Sequence, residues 1–341
     1  MIQLNLHAFD LKLRDPFTIA RSTTTVQPTL IVELEYQGLR GYGEATTNDY
    51  YGATLENMSR LLREVAPRLA GMSLDNPAEI WQELDPVLQA NRFAQCALDC
   101  AVWDLCAQQL GVPLYKLWGF ETDSPCPPTC YTLGIDKPEV MLRKMQAMPD
   151  WPVYKVKLDE RGGIDIVRYL RAHTESIFRV DANCSWQPDQ ILDQAEALAG
   201  LNVELIEQPL PADRYDDMRP FKGRSPLPLM ADESCQVEAD VNRCIDCFDA
   251  INVKLVKCGG LTPARRMIAR AKQNGLKVMV GCMTESSIGI AAGVHLLPLL
   301  DWADLDGALL LAEDIAAGIH WQGGRCMLPE APGLGVRLKQ R

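Results

Sequence analysis

The chain has 341 residues, 47% of them hydrophobic and 23% charged, and a formal net charge of −11. That balance describes a folded soluble chain long enough for one large domain or two ordinary ones. It has no basic cluster to recruit nucleic acid, no apolar run near the roughly 18 residues a membrane span needs, and no signal-peptide pattern at MIQLNLHAFDLKLRDPF, so the cytoplasm is the expected compartment and the sequence leaves room for a homo-oligomer.

Residues 1 to about 55 read as strands, with TLIVELEYQ followed by a turn-like GLRGYGEAT. Residues 55–110 read as helices, because LENMSRLLREVAPRL and AQCALDCAVWDLCAQQL repeat apolar residues at three- and four-residue steps. Gly111 supplies the stop. The first third is therefore an α+β module. From about residue 126, short apolar runs alternate with amphipathic helices. Eight strand candidates follow: CYTLGID, VYKVKLD, FRVDAN, VELIEQP, LPLMADES, AINVKLVKCGG, LKVMVGCMTES and DWADLDG. Eight such units predict a (β/α)8 barrel, a modified TIM barrel whose last helix is short or replaced. The boundaries expected are a capping module over 1–120, completed by about 316–341, and a barrel over 121–315. Most of the twelve cysteines lie in apolar segments (Cys96, Cys100, Cys106, Cys258, Cys282), and the lone pair Cys244 and Cys247 lacks a second pair for zinc. Buried free thiols are expected.

In such a barrel the chemistry sits at the C-terminal ends of the strands. Asp181, Glu207 and Asp232 each close a strand candidate, at intervals of about one strand-plus-helix unit. Neighbouring units would bring three hard oxygen ligands together, a donor set for a divalent cation such as Mg²⁺. Lys155 and Lys157 stand at i and i+2 on the preceding strand, so both face the barrel mouth. Their mutual repulsion, and that of a bound cation, would lower a lysine pKa towards use as a base. Lys254 lies four units later, across the barrel. Two bases flanking one metal-bound carboxylate can serve opposite faces of one carbon.

With these residues in place, the chain resembles the enolase superfamily, muconate-lactonizing-enzyme subgroup, and most closely its dipeptide epimerases (L-Ala-D/L-Glu epimerase-like). The resemblance runs over nearly the whole chain, including ALDCAVWDLCAQQLGVPLYKLWG before the barrel. It implies one Mg²⁺ per active site, held by Asp181, Glu207 and Asp232. It implies a dipeptide whose terminal carboxylate meets that ion, with an enolate dianion stabilised as the α-proton leaves. Lys157 and Lys254 would move that proton on opposite faces, while Lys155 tunes Lys157. Asp304 and Asp306, the D-x-D of the eighth strand, would hold the substrate ammonium group. Glu285 and Thr132 would complete the substrate contacts.

Specificity in the family comes from two capping loops, here about 16–25 and 46–53. Arg21 stands where an arginine pairs with the side-chain carboxylate of an acidic substrate. Asp49, Tyr50 and Tyr51 complicate this reading, since tyrosines suit apolar side chains and Asp49 a basic one. Acidic dipeptides rank first and hydrophobic ones second. o-Succinylbenzoate synthase or cycloisomerase chemistry needs the same metal and lysines, but offers the D-x-D no ammonium to hold. A non-catalytic binder would be expected to lack one of these residues.

Overall fold

The computed structural model describes residues 1–159 and 163–339. Three antiparallel strands open the chain: β1 (Gln3–Ile19), β2 (Ser22–Tyr36) and β3 (Leu39–Thr46). The β2–β3 turn is confined to Gln37 and Gly38, both at positive φ, the condition for a tight hairpin. The glycine-rich run after it is a strand, not the turn its composition implied. Its glycines serve packing: a Cβ on Gly41 or Gly43 would stand 2.4 or 1.9 Å from backbone oxygens of Ala101 and Ala97. Those oxygens belong to α3 (Arg92–Gln109), which follows α1 (Leu55–Leu69) and α2 (Pro77–Leu88). Nearly every residue of α3 is buried, so its apolar run is continuous. Asn91 and Thr54 cap α3 and α1 by accepting from backbone N–H groups. A short α4 (Leu114–Leu117) leads out of the module.

All eight predicted barrel strands form: β4 (Tyr131–Leu133), β5 (Val153–Lys157), β6 (Ile177–Asp181), β7 (Val203–Glu207), β8 (Leu229–Ala231), β9 (Ala250–Lys254), β10 (Lys277–Gly281) and β11 (Trp302–Asp304). Each pairs in parallel with the next, and a bridge from Thr129 to Ala303 brings the two ends of the sheet together. The outer helices are α5 (Pro138–Gln146), α6 (Gly163–Arg171), α7 (Ile191–Ala199), α8 (Tyr215–Met218), α9 (Asp240–Cys244), α10 (Leu255–Cys258), α11 (Leu261–Gln273) and α12 (Ser287–Val294). After β11 only a 3-10 turn, Gly307–Leu310, stands in for a helix. The barrel floor is apolar: Leu205, Met230, Ala250, Met279 and Trp302 pack together. Two residues further along the same strand faces come Glu207 above Leu205 and Asp304 above Trp302. All twelve cysteines are free and nine are buried.

The tail folds back on the first module through backbone bonds between Gly333 and both Val112 and Leu114, and through Leu334 N–H donating to Asp104. No helix among the described residues is long and apolar enough to cross a membrane. Capping module and barrel join where buried Asp99 of α3 accepts from the Thr262 N–H (2.8 Å) and hydroxyl (2.7 Å) at the start of α11. Burial pushes the Asp99 carboxyl up to about 7. Its folded pKa is thus above its unfolded value. The associated stability is complete below about pH 4 and is lost as pH rises through about 7. Asp99→Asn should therefore gain on the wild type by roughly 2–4 kcal/mol between pH 4 and pH 8. Urea unfolding across that range measures the difference; a pH-independent gap would contradict the assignment.

Candidate active site

The strand register places the ionic residues at one level. Lys157 is the partner of Asp181, Asp181 of Glu207, and Gly281 of both Lys254 and Asp304. Asp232 follows β8 by one residue. Ligand oxygens of Asp181, Glu207 and Asp232 all lie within 4.8 Å of one another, and all three residues are buried. Such a cluster is self-repulsive unless cations compensate it.

Four lysines do so. Lys155 Nζ lies 2.7 Å from Glu207, 2.7 Å from Asp304 and 3.2 Å from Asp181. Lys157 donates to Asp181 at 2.6 Å. Lys254 and Lys257 grip the two oxygens of Asp232 at 2.7 and 2.5 Å. Burial would raise Asp181, but Lys157 and Lys155 hold it below the usual carboxylate range. Burial would likewise raise Asp232, and Lys254 and Lys257 hold it well below. Glu207 moves the other way, raised by burial and by Asp181.

Set among these acids, Lys155 and Lys254 run opposite to the lowering that repulsion would give. Burial alone would lower Lys155, but Asp304, Glu207 and Asp181 outweigh it, so its pKa rises well above normal. Lys254 is raised too, with burial opposed mainly by Asp232. At Lys155 repulsion within the K-x-K pair is the smaller effect because its ammonium sits against three carboxylates.

The donor set fits a hard divalent cation. Three carboxylates converge on one point, where Glu207 Oε2 is buried and meets the Lys155 ammonium at 2.7 Å without hydrogen-bond geometry. Asn252 on β9 donates to the other Glu207 oxygen at 2.9 Å. Gly281 makes room for that amide, since a Cβ there would stand 2.6 Å from Asn252 Oδ1.

Asp304 and Asp306 meet at Thr132 on β4. The Thr132 N–H donates to Asp306 at 2.5 Å, and its hydroxyl donates to Asp304 at 3.5 Å. Strand alternation is not what aligns the two acids, because β11 ends at Asp304 and Asp306 lies beyond it. The neighbouring strand does that work. Burial and the Asp304 charge push Asp306 up to about 7. Glu285 is buried at the start of α12 and pushed up to about 8 by burial and Glu44; Lys254 is close enough to oppose that rise.

Above the acids lies a cavity of about 590 Å³ walled by Ala20, Arg21, Tyr50, Asp159, Asn183 and Cys184, among others. The metal-type acids and their lysines are buried and are not among its wall residues. Residues 16–25 are not a loose loop: β1 and β2 run to Ile19 and Ser22, leaving Ala20 and Arg21 as the hairpin tip. Arg21 lies over the Tyr50 ring at 4.5 Å and donates to Glu233 at 2.7 Å. Asp49 is exposed and outside the cavity wall, whereas Tyr51 packs edge-on against Tyr50 and leans on Phe93.

The N-terminal domain of the mandelate racemase / muconate lactonizing enzyme family matches residues 1–119, and the enolase C-terminal domain-like family matches residues 141–341. The chain belongs to this enolase-superfamily group. An L-Ala-D/L-amino acid epimerase of Flavobacterium johnsoniae is 46% identical, the match covering 99% of this chain and all of that one. An L-Ala-D/L-Glu epimerase of Bacteroides thetaiotaomicron is 37% identical over 98% of this chain and 88% of its own. In three dimensions, a dipeptide epimerase of Cytophaga hutchinsonii complexed with Mg and D-Ala-L-Val superimposes with a TM-score of 0.93. That pair shares 28% identity and covers 100% of this chain and 96% of the other.

Sequence reasoning passed over Lys257, Asn252 and Glu233. Lys257 stood in view in INVKLVKCGG, but a lysine three residues past a strand end reads as a surface charge. The signal was the Gly259-Gly260 pair, both at positive φ, which ends α10 and returns the chain inward. Buried Lys257 holds Asp232 and also donates to the Cys235 carbonyl at 3.0 Å. Lys257→Met should cost about 3 kcal/mol of metal-free stability, the usual penalty for stripping one partner from a buried ion pair. A urea titration in chelator reads it, and a loss under about 1 kcal/mol would deny Lys257 this role.

Proposed function

We propose that this chain is a Mg²⁺-dependent dipeptide epimerase acting on L-Ala-Xaa, with acidic Xaa favoured. The observation that carries the reading is the placement of Lys157 and Lys254. They end β5 and β9, four strands apart in an eight-stranded barrel, with the three acids on the strands between. Two ammonium groups so placed can reach opposite faces of one α-carbon.

Asp181, Glu207 and Asp232 are the residues that would hold Mg²⁺. The bound ion supplies Lewis-acid stabilisation of negative charge on the substrate carboxylate. Lys157 and Lys254 take the α-proton from one face and return it to the other, each serving as base in one direction and acid in the reverse. Lys155, anchored to Asp304 and Glu207, keeps positive charge beside Lys157. Asp304 and Asp306, aligned by Thr132, receive the free ammonium of the substrate. Arg21 meets the side chain of Xaa from the hairpin tip, and Glu285 bounds the pocket near Lys254. Short dipeptides are cytoplasmic substrates in this reading.

The Asp304–Asp306 pair is what favours a free-amine peptide over the o-succinylbenzoate synthase or cycloisomerase alternative. Incubation of L-Ala-L-Xaa dipeptides with enzyme and Mg²⁺ in D₂O should place deuterium at the C-terminal α-carbon and yield the L-Ala-D-Xaa epimer, read by mass spectrometry and chiral chromatography. N-acetylated dipeptides should remain inert. Lys157→Ala and Lys254→Ala should each lower epimerisation by about 10²–10⁴-fold. Near-normal turnover in either variant would end the two-lysine scheme.

A further inference from the structure

Arg21 does not face the cavity alone. Its guanidinium donates to Glu233 Oε1 at 2.7 Å and points a second donor at Cys184 Sγ, 3.8 Å away. Glu233 comes from the barrel, one residue past the metal-type acid Asp232, while Arg21 comes from the capping hairpin. The Glu233 carboxylate is only 1% exposed, against 33% for the Arg21 side chain. Its second oxygen, Oε2, is buried without a hydrogen-bond partner among the described residues. The ion pair through Oε1 sets the Glu233 carboxylate directly against the Arg21 guanidinium. The other ionisable groups at this wall are Asp159, the Cys184 thiol and the Tyr50 phenol.

We infer that Glu233 is a specificity-setting residue, a built-in counter-charge that shares Arg21 with the side chain of Xaa. The inference rests on the proposed epimerase reading and adds the breadth of its substrate class. Arg21 offers five donors in a planar fork, and Glu233 and Cys184 engage one donor each, so room remains for an incoming carboxylate. That carboxylate meets an arginine whose charge is already balanced, with a buried carboxylate close by. Attraction and repulsion largely offset each other. A neutral Xaa meets no such opposition, and the Tyr50 ring under Arg21 offers it apolar surface. The site therefore takes acidic and neutral side chains with similar efficiency, acidic ones keeping only a small advantage.

The test compares kcat/KM for L-Ala-L-Glu and its neutral isostere L-Ala-L-Gln, measured by epimerisation with Mg²⁺. Their ratio cancels any change in metal loading or lysine chemistry common to both. Wild-type enzyme should favour Glu by no more than about threefold. Glu233→Gln keeps the size and an acceptor for Arg21 but removes the charge, so the ratio should rise about tenfold, through L-Ala-L-Glu rather than L-Ala-L-Gln. In an Arg21→Gln background, where only the Glu233 repulsion remains, the ratio should fall below the wild-type value, and adding Glu233→Gln should raise it again. A wild-type preference for Glu above about tenfold overturns the inference without any variant, as does an unchanged ratio in Glu233→Gln. Turnover of neither dipeptide by the wild type, with no deuterium uptake into any L-Ala-Xaa, would bring down the epimerase reading itself and this inference with it.

Discussion

The compensation of buried negative charge by buried ammonium groups is the constraint on which the site depends. Asp181, Glu207, Asp232, Asp304 and Asp306 are all buried at the barrel mouth, and isolated carboxylates in that position would take protons or pull in water. Lys155, Lys157 and Lys254 answer them from β5 and β9, and Lys257 from α10. The balance is uneven across the site. Asp181, Asp232 and Asp304 have lowered pKa values, while Glu207 is raised by burial and Asp181 despite Lys155 at 2.7 Å, and Asp306 is raised by burial and Asp304. The two kinds of carboxylate differ in their partners and not in their burial.

That arrangement needs a rigid frame, and the frame is the register of the barrel. Parallel pairing puts Lys157, Asp181 and Glu207 side by side, and the apolar floor is built by Leu205 of β7 with residues of β8 to β11. The capping module is tied to the same end by polar contacts that cross the chain. Glu44 on β3 accepts from Ser286 N–H and Gly289 N–H at the start of α12, satisfying helix N-terminal donors from another module. Asp99 does the same for Thr262 at the start of α11. The hairpin tip that carries Arg21 is therefore held by a sheet that is itself anchored beside the lysines and acids.

The eight strands, the acid triad and the opposing lysines were legible in the sequence because each is a local pattern: an apolar run with a charge at its end, repeated at the interval of one βα unit. The glycine-rich strand β3 was not legible, because Gly41 and Gly43 answer to backbone atoms of α3 more than fifty residues away. The carboxylates around Lys155 were not legible for a related reason. The i, i+2 spacing of Lys155 and Lys157 is visible, but the carboxylates that outweigh their repulsion come from other strands. Asp304 and Asp306 are visible as a D-x-D, but it is Thr132 that brings them together and not the pleat.

Specificity is where sequence reading had least to work with, and the reason is physical. The preference of an arginine for an acidic substrate is set by its surplus charge, and that surplus depends on what else it touches. Arg21 is visible in the capping segment as a lone cation, yet its partner lies 212 positions away in the barrel. An arginine at the same position in two related chains can thus act as an anion receptor in one and as half of a neutral pair in the other. Catalytic residues escape this ambiguity because the proton and metal chemistry demands fixed groups at fixed strand ends. In the proposed reading the substrate side chain meets a surface assembled from two modules, and its selectivity would belong to the pair Arg21–Glu233 and to neither residue alone.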